Sequence, residues 1–99
     1  MRLSADQRRS LKAYFVAQLG DDCRVLLFGS RTDDGQRGGD VDLLVVSPRP
    51  VPDKAWFAAR LAAHAERLMG DRRVDVLLLD PTTAVQPVHA AALAHGEAL

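Results

Sequence analysis

The stretch "LLFGSRTDDGQRGGDVDLLVV", residues 26–46, sets two aspartates into what otherwise reads as a buried strand. Its two ends, within "CRVLLFGS" and "DVDLLVVSP", are apolar runs of strand length, separated by a polar loop containing glycine. Residues two apart in a strand share a face, so Asp40 and Asp42 project together while Val41 and Leu43 take the other side. Aspartate is depleted in strands, and two like charges about 7 Å apart along one strand repel more strongly as their surroundings dry out. A divalent cation reverses the sign of that effect, because hard carboxylate oxygens are the ligands Mg2+ prefers. Asp75 repeats the anomaly inside "VDVLLL", and a neighbouring strand can set it beside the other two. Three converging carboxylates suit two-metal phosphoryl or nucleotidyl transfer, in which the ions clamp the attacking and leaving oxygens.

Outward from this stretch the chain alternates helical and extended patterns. "SADQRRSLKAYFVAQLG" begins with Ser4 and Gln7 in capping-box spacing, carries Leu11, Phe15 and Leu19 with Tyr14 as an apolar stripe, and stops at Gly20. "PDKAWFAARLAAHAERLMG" predicts a second helix with Phe57, Leu61, Ala65 and Leu68 inward, Arg60, His64 and Arg67 on another face, and Gly70 as its close. "RRVDVLLLDP" predicts a third strand and "PVHAAALAHG" a short last helix with Pro87 in its first turn. The expected order is helix, strand, strand, helix, strand, helix. That order predicts an α/β (α+β) fold, a small mixed β-sheet with helices packed mainly on one face. No repeat or linker divides the chain, so residues 1–99 are expected to form one domain.

Composition narrows the function classes. Thirteen basic residues balance thirteen acidic ones, so no global field draws the protein to nucleic acid or an anionic membrane. An anionic ligand must then be met by a local site. Cys23 is the one cysteine, which excludes an internal disulfide and fits a reducing compartment. "MRLSADQRRS" lacks the apolar stretch of a signal peptide, and the expected location is cytoplasmic, with no membrane partner.

Gly29 and Ser30 follow the first strand directly, and Arg31 follows them. Glycine permits a tight turn there, exposed amides and the serine hydroxyl can bind a phosphate, and the guanidinium can neutralise it. Turn and carboxylates together make a site with a positive half for phosphates and a negative half for metals. This combination, Phe28-Gly29-Ser30, a spacer of about nine residues, then Asp40-Val41-Asp42-Leu43, resembles the signature of the DNA polymerase β-like nucleotidyltransferase superfamily. Within it the chain is similar to the minimal nucleotidyltransferases (MNT domains), with "GSR" at the turn and "GGD" before the second strand. Gly39 stands where many relatives have serine.

The resemblance implies a nucleotidyltransferase fold that uses ATP or another nucleoside triphosphate with two Mg2+ ions. It implies that Asp40 and Asp42 hold metal, that Asp75 completes the metal site and activates the acceptor hydroxyl, and that Gly29, Ser30 and Arg31 hold the β and γ phosphates. Many minimal nucleotidyltransferases act as antitoxins of a HEPN-domain partner, some by moving AMP from ATP to a tyrosine of that toxin. A homo- or hetero-oligomer is therefore expected, without direct nucleic-acid binding. The rival readings are a non-catalytic antitoxin acting by occlusion and a small-molecule, aminoglycoside-like nucleotidyltransferase. A domain this small has little surface left for an acceptor pocket, which favours an acceptor borrowed from a partner chain.

Other signals read as structural. His64, His89 and His95 lack zinc spacing, Trp56 reads as core, and Arg72 and Arg73 as solvated turn charges. "DDGQR", residues 33–37, lacks the ligand spacing of a calcium loop and reads as a candidate lid.

Overall fold

Helix α1 (Ala5–Leu19) starts where its sequence says it should. The Gln7 amide donates to Ser4 Oγ at 3.1 Å and the Ser4 amide donates to Gln7 Oε1 at 2.9 Å, so two amides of the helix start find partners. Leu11 and Phe15 are fully buried. Gly20 ends the helix at φ +98° and ψ 158°, a backbone region open essentially to glycine alone. A Cβ at Gly20 would also lie 2.5 Å from Arg49 Nη2. That guanidinium donates to the Leu19 carbonyl and grips Asp22 at 2.9 and 3.0 Å, tying the helix end to the segment after the second strand.

This computed structural model describes residues 3–28 and 41–99. Gly29, Ser30, Arg31, residues 33–37 and Asp40 lie outside the described residues. The further elements are β1 (Arg24–Phe28), β2 (Val41–Val46), α2 (Lys54–Leu68), β3 (Val74–Leu79), α3 (Pro87–His95) and β4 (Glu97–Ala98). The strands form one mixed sheet in the order β3-β2-β1-β4. β1 pairs antiparallel with β2 and β4, and β2 pairs parallel with β3 across the α2 crossover. The α+β architecture therefore matches the sequence pattern, with β4 as an addition.

One face of the sheet is covered and the other is covered in part, which explains why its strands read as nearly continuous apolar runs. Val25, Leu27, Val41, Leu43, Val45, Val74 and Leu78 pack against Leu11 and Phe15 of α1 and Leu61 and Ala65 of α2. The alternate residues Leu26, Leu44 and Leu79 pack with Ala92 of α3, flanked by Phe28, Val46, Leu77 and Leu93. Two helices thus cover one face and the last helix covers part of the other.

Two expectations about α2 are corrected. Trp56 is 58% exposed rather than core, and Leu68 is 38% exposed rather than inward. The buried stripe of α2 centres on Leu61 and Ala65, which turns Trp56 outward to lie under the Arg60 guanidinium at 5.0 Å. α2 closes through Gly70 at φ +68° and Asp71 at φ +65°, the Asp71 amide donating back to the Glu66 carbonyl at 2.7 Å.

Candidate functional site

Alternation along the strands assigns the acids to a face. Val41, Leu43 and Val45 fill the core under α1 and α2, so Asp42 and Leu44 take the α3 face. In β3, Val74, Val76 and Leu78 face the same core, and Asp75, Leu77 and Leu79 take the α3 face. The register then decides whether the two acids meet. Asp42 is the partner of Asp75 in the parallel β2–β3 pair and of Phe28 in the antiparallel β1–β2 pair. Their backbones therefore lie one strand spacing apart, about 5 Å, with both side chains leaving the same face.

This pair stands where β1 ends and where β2 and β3 begin. Phe28, the last described residue before Gly29, sits opposite Asp42, and Asp40 immediately precedes Val41. The chain thus leaves and re-enters the described sheet at the end that carries the acids. Asp42 is half-buried, whereas the Asp75 side chain is 49% exposed. Arg73 Nε lies 3.5 Å from Asp75 Oδ1, at the outer limit of a hydrogen bond and in solvent, where such a pair is weak.

The arrangement can bind a hard cation. Like charges at one rung of a sheet destabilise it, and a divalent ion shared by the two carboxylates would remove that cost. Asp42 and Asp75 share one rung, but among the described residues no group of three or more His, Cys, Asp or Glu is gathered to hold a metal. Asp40, Gly29, Ser30 and Arg31, the other residues expected here from sequence, lie outside the described residues.

One further acid has structural weight. Asp80, with a side chain fully shielded from solvent, accepts from the Val51 amide at 2.7 Å, the Thr82 amide at 2.9 Å, and the Thr82 and Thr83 hydroxyls at 2.7 and 2.9 Å, with Lys54 Nζ at 3.3 Å. The Val51 amide, with the threonine donors, outweighs burial and holds its carboxyl well below the usual carboxylate range. Asp80 follows the C-terminal end of β3, away from Asp42 and Asp75, and clasps the segment that enters α2. Its signal was the "DPTT" turn composition, residues 80–83.

Two of the histidines make structural contacts. His89 is buried and its Nδ1 accepts from the Gln86 amide at 2.9 Å. His64 stacks on Tyr14 with ring centroids 4.2 Å apart. Burial pushes the Cys23 thiol up, away from thiolate chemistry. No described helix is long and apolar enough to cross a membrane.

Compared with known families, the chain matches the one described as nucleotidyltransferase domain over residues 9–90, from within α1 into α3. No curated protein and no solved structure matches it.

Proposed function

The chain belongs to the nucleotidyltransferase domain family, and from that premise we propose that it moves AMP from ATP to a hydroxyl of a protein partner, a HEPN-type toxin that it neutralises. Membership makes the protein a transferase with a nucleoside triphosphate as substrate and a divalent metal as helper. The catalytic part of this reading is supported above all by Asp42 and Asp75 sharing one rung of the sheet, and the AMP donor and toxin partner by the resemblance to minimal nucleotidyltransferases.

In this reading Asp40, Asp42 and Asp75 would hold two Mg2+ ions, and Gly29, Ser30 and Arg31 would bind the β and γ phosphates. When bound, the ions polarise the α-phosphate and neutralise charge on the leaving pyrophosphate. Asp75, the more exposed acid, takes the proton of the acceptor hydroxyl. The acceptor oxygen then bonds to the α-phosphorus, the α–β bridging bond breaks, and pyrophosphate leaves. The residues orient both reactants for in-line attack, which supplies much of the acceleration.

The deciding experiment incubates the protein with α-labelled ATP, Mg2+ and the HEPN partner, beside Asp42→Ala and Asp75→Ala. Label on the partner that depends on both acids supports transfer. Neutralisation that needs neither nucleotide nor acids replaces it with occlusion.

A further inference from the structure

β3 is one edge of the sheet, and among the described residues no strand pairs with its outer side. Along a strand, successive residues turn their peptide groups alternately to one neighbour and the other. The Val41 amide donates to the Arg73 carbonyl at 2.9 Å and the Ser47 amide to that of Leu79 at 2.8 Å, so residues 73, 75, 77 and 79 face β2. Val74, Val76, Leu78 and Asp80 therefore face outward. Both ends of this row are capped: the Val74 amide donates to Glu66 Oε2 at 3.1 Å and the Asp80 amide to Thr83 Oγ1 at 3.3 Å. Among the described residues the peptide groups of Val76, which is half-buried, and Leu78, which is 8% exposed, have no such cap.

Among the described residues this edge carries few of the usual protections. The strand has six residues with no proline and no lysine, and its one charge, Asp75, keeps its peptide group turned inward to β2. Val76 and Leu77, on opposite faces of the strand, are each only half-buried. The other edge, by contrast, ends in a strand of two residues.

We propose that this edge pairs antiparallel with β3 of a second copy of the chain, about a twofold axis through Leu77. In that register Val76 and Leu78 of one copy exchange both N–H···O bonds with Leu78 and Val76 of the other, so the two uncapped residues satisfy each other. The neighbouring registers are worse. An axis at Val76 recruits the Val74 amide already given to Glu66, an axis at Leu78 recruits the Asp80 amide already given to Thr83, and an axis at Asp75 sets two carboxylates face to face. With the axis at Leu77, Leu77 meets Leu77 and Val76 meets Leu78, while Asp75 lies opposite Leu79 and Val74 opposite Asp80 of the second copy. The seam then runs beside Asp75 and joins two sheets into one, independently of the reaction the protein performs.

Sedimentation of the full chain at rising concentration tests this: the expected result is a mass that climbs from one copy to two. Leu77→Lys, which opposes two ammonium groups at the axis, is expected to hold the chain at one copy. Leu77→Cys is expected to crosslink under mild oxidation, because a non-hydrogen-bonded pair brings its Cα atoms to about 4.5 Å, within disulfide reach. Wild type, whose Cys23 is buried, and Ala13→Cys on exposed α1 are expected not to crosslink. The cysteine variants decide the matter even if the lysine variant fails to fold. A single-copy mass at every concentration overturns the proposal, as does a dimer that crosslinks through Ala13→Cys and not through Leu77→Cys.

Discussion

Asp42 and Asp75 carry carboxylates at the same rung of a parallel pair, where like charges oppose pairing. Two outcomes follow at the scale of single residues. Asp75→Asn should lower the transfer rate by about 100-fold or more, since it removes both a metal ligand and the acceptor's base. In metal-free buffer the same variant should melt slightly higher than wild type, because relief of the cross-strand repulsion outweighs the loss of an exposed Arg73 contact. Asp80 behaves in the opposite way. Its folded pKa lies below the ordinary value of 3.8, so its contribution is whole above that pH and is lost as pH falls below it. Thermal melts of wild type and Asp80→Asn across the acid range should converge as the pH drops, and stay apart near neutrality.

Among the elements, α1 was written plainly in the sequence, because a capping box and a glycine stop act through local hydrogen bonds and local backbone freedom. Gly20→Ala should cost about 2 kcal/mol in denaturant unfolding, since the backbone there excludes a side chain and the new Cβ displaces Arg49 from Leu19 and Asp22. β4 could not be read in the same way. Glu97 and Ala98 carry no apolar alternation, and they are extended only because Leu26 and Leu27 offer them a ladder. Trp56 misled for a related reason: α2 has apolar residues around much of its circumference, and which of them face inward depends on where α1 and the sheet lie. For the acids, strand periodicity showed which face each would take. The rung that joins Asp42 to Asp75 was not visible, because the register of a parallel pair is set through the whole crossover.

Over the whole molecule, the two-sided sheet makes each face of β2 a core in its own right. Leu43→Ala, under α1 and α2, and Leu44→Ala, under α3, should each cost about 3 kcal/mol in chemical denaturation, as both side chains are fully buried. A much smaller loss at Leu44 would mean that α3 is only loosely attached. The overall architecture was legible because strand and helix periods alternate along the chain. The proposed nucleotide half of the site rests on a motif alone, and its residues Gly29, Ser30 and Arg31 lie outside the described residues.

The parallel pairing of β2 and β3 also bears on how the protein reaches its working form. Asp42 and Asp75 are 33 residues apart along the chain, and they become neighbours only after α2 has docked and closed the crossover. A partly folded chain therefore lacks the Asp42–Asp75 pair. Cation and nucleotide would then act as ligands of the finished state alone, slowing exchange of the Asp75, Leu77 and Leu79 amides that point into β2. Hydrogen exchange of β3 with and without Mg2+ and ATP should register that tightening, so that the substrate itself selects completed molecules from unfinished ones.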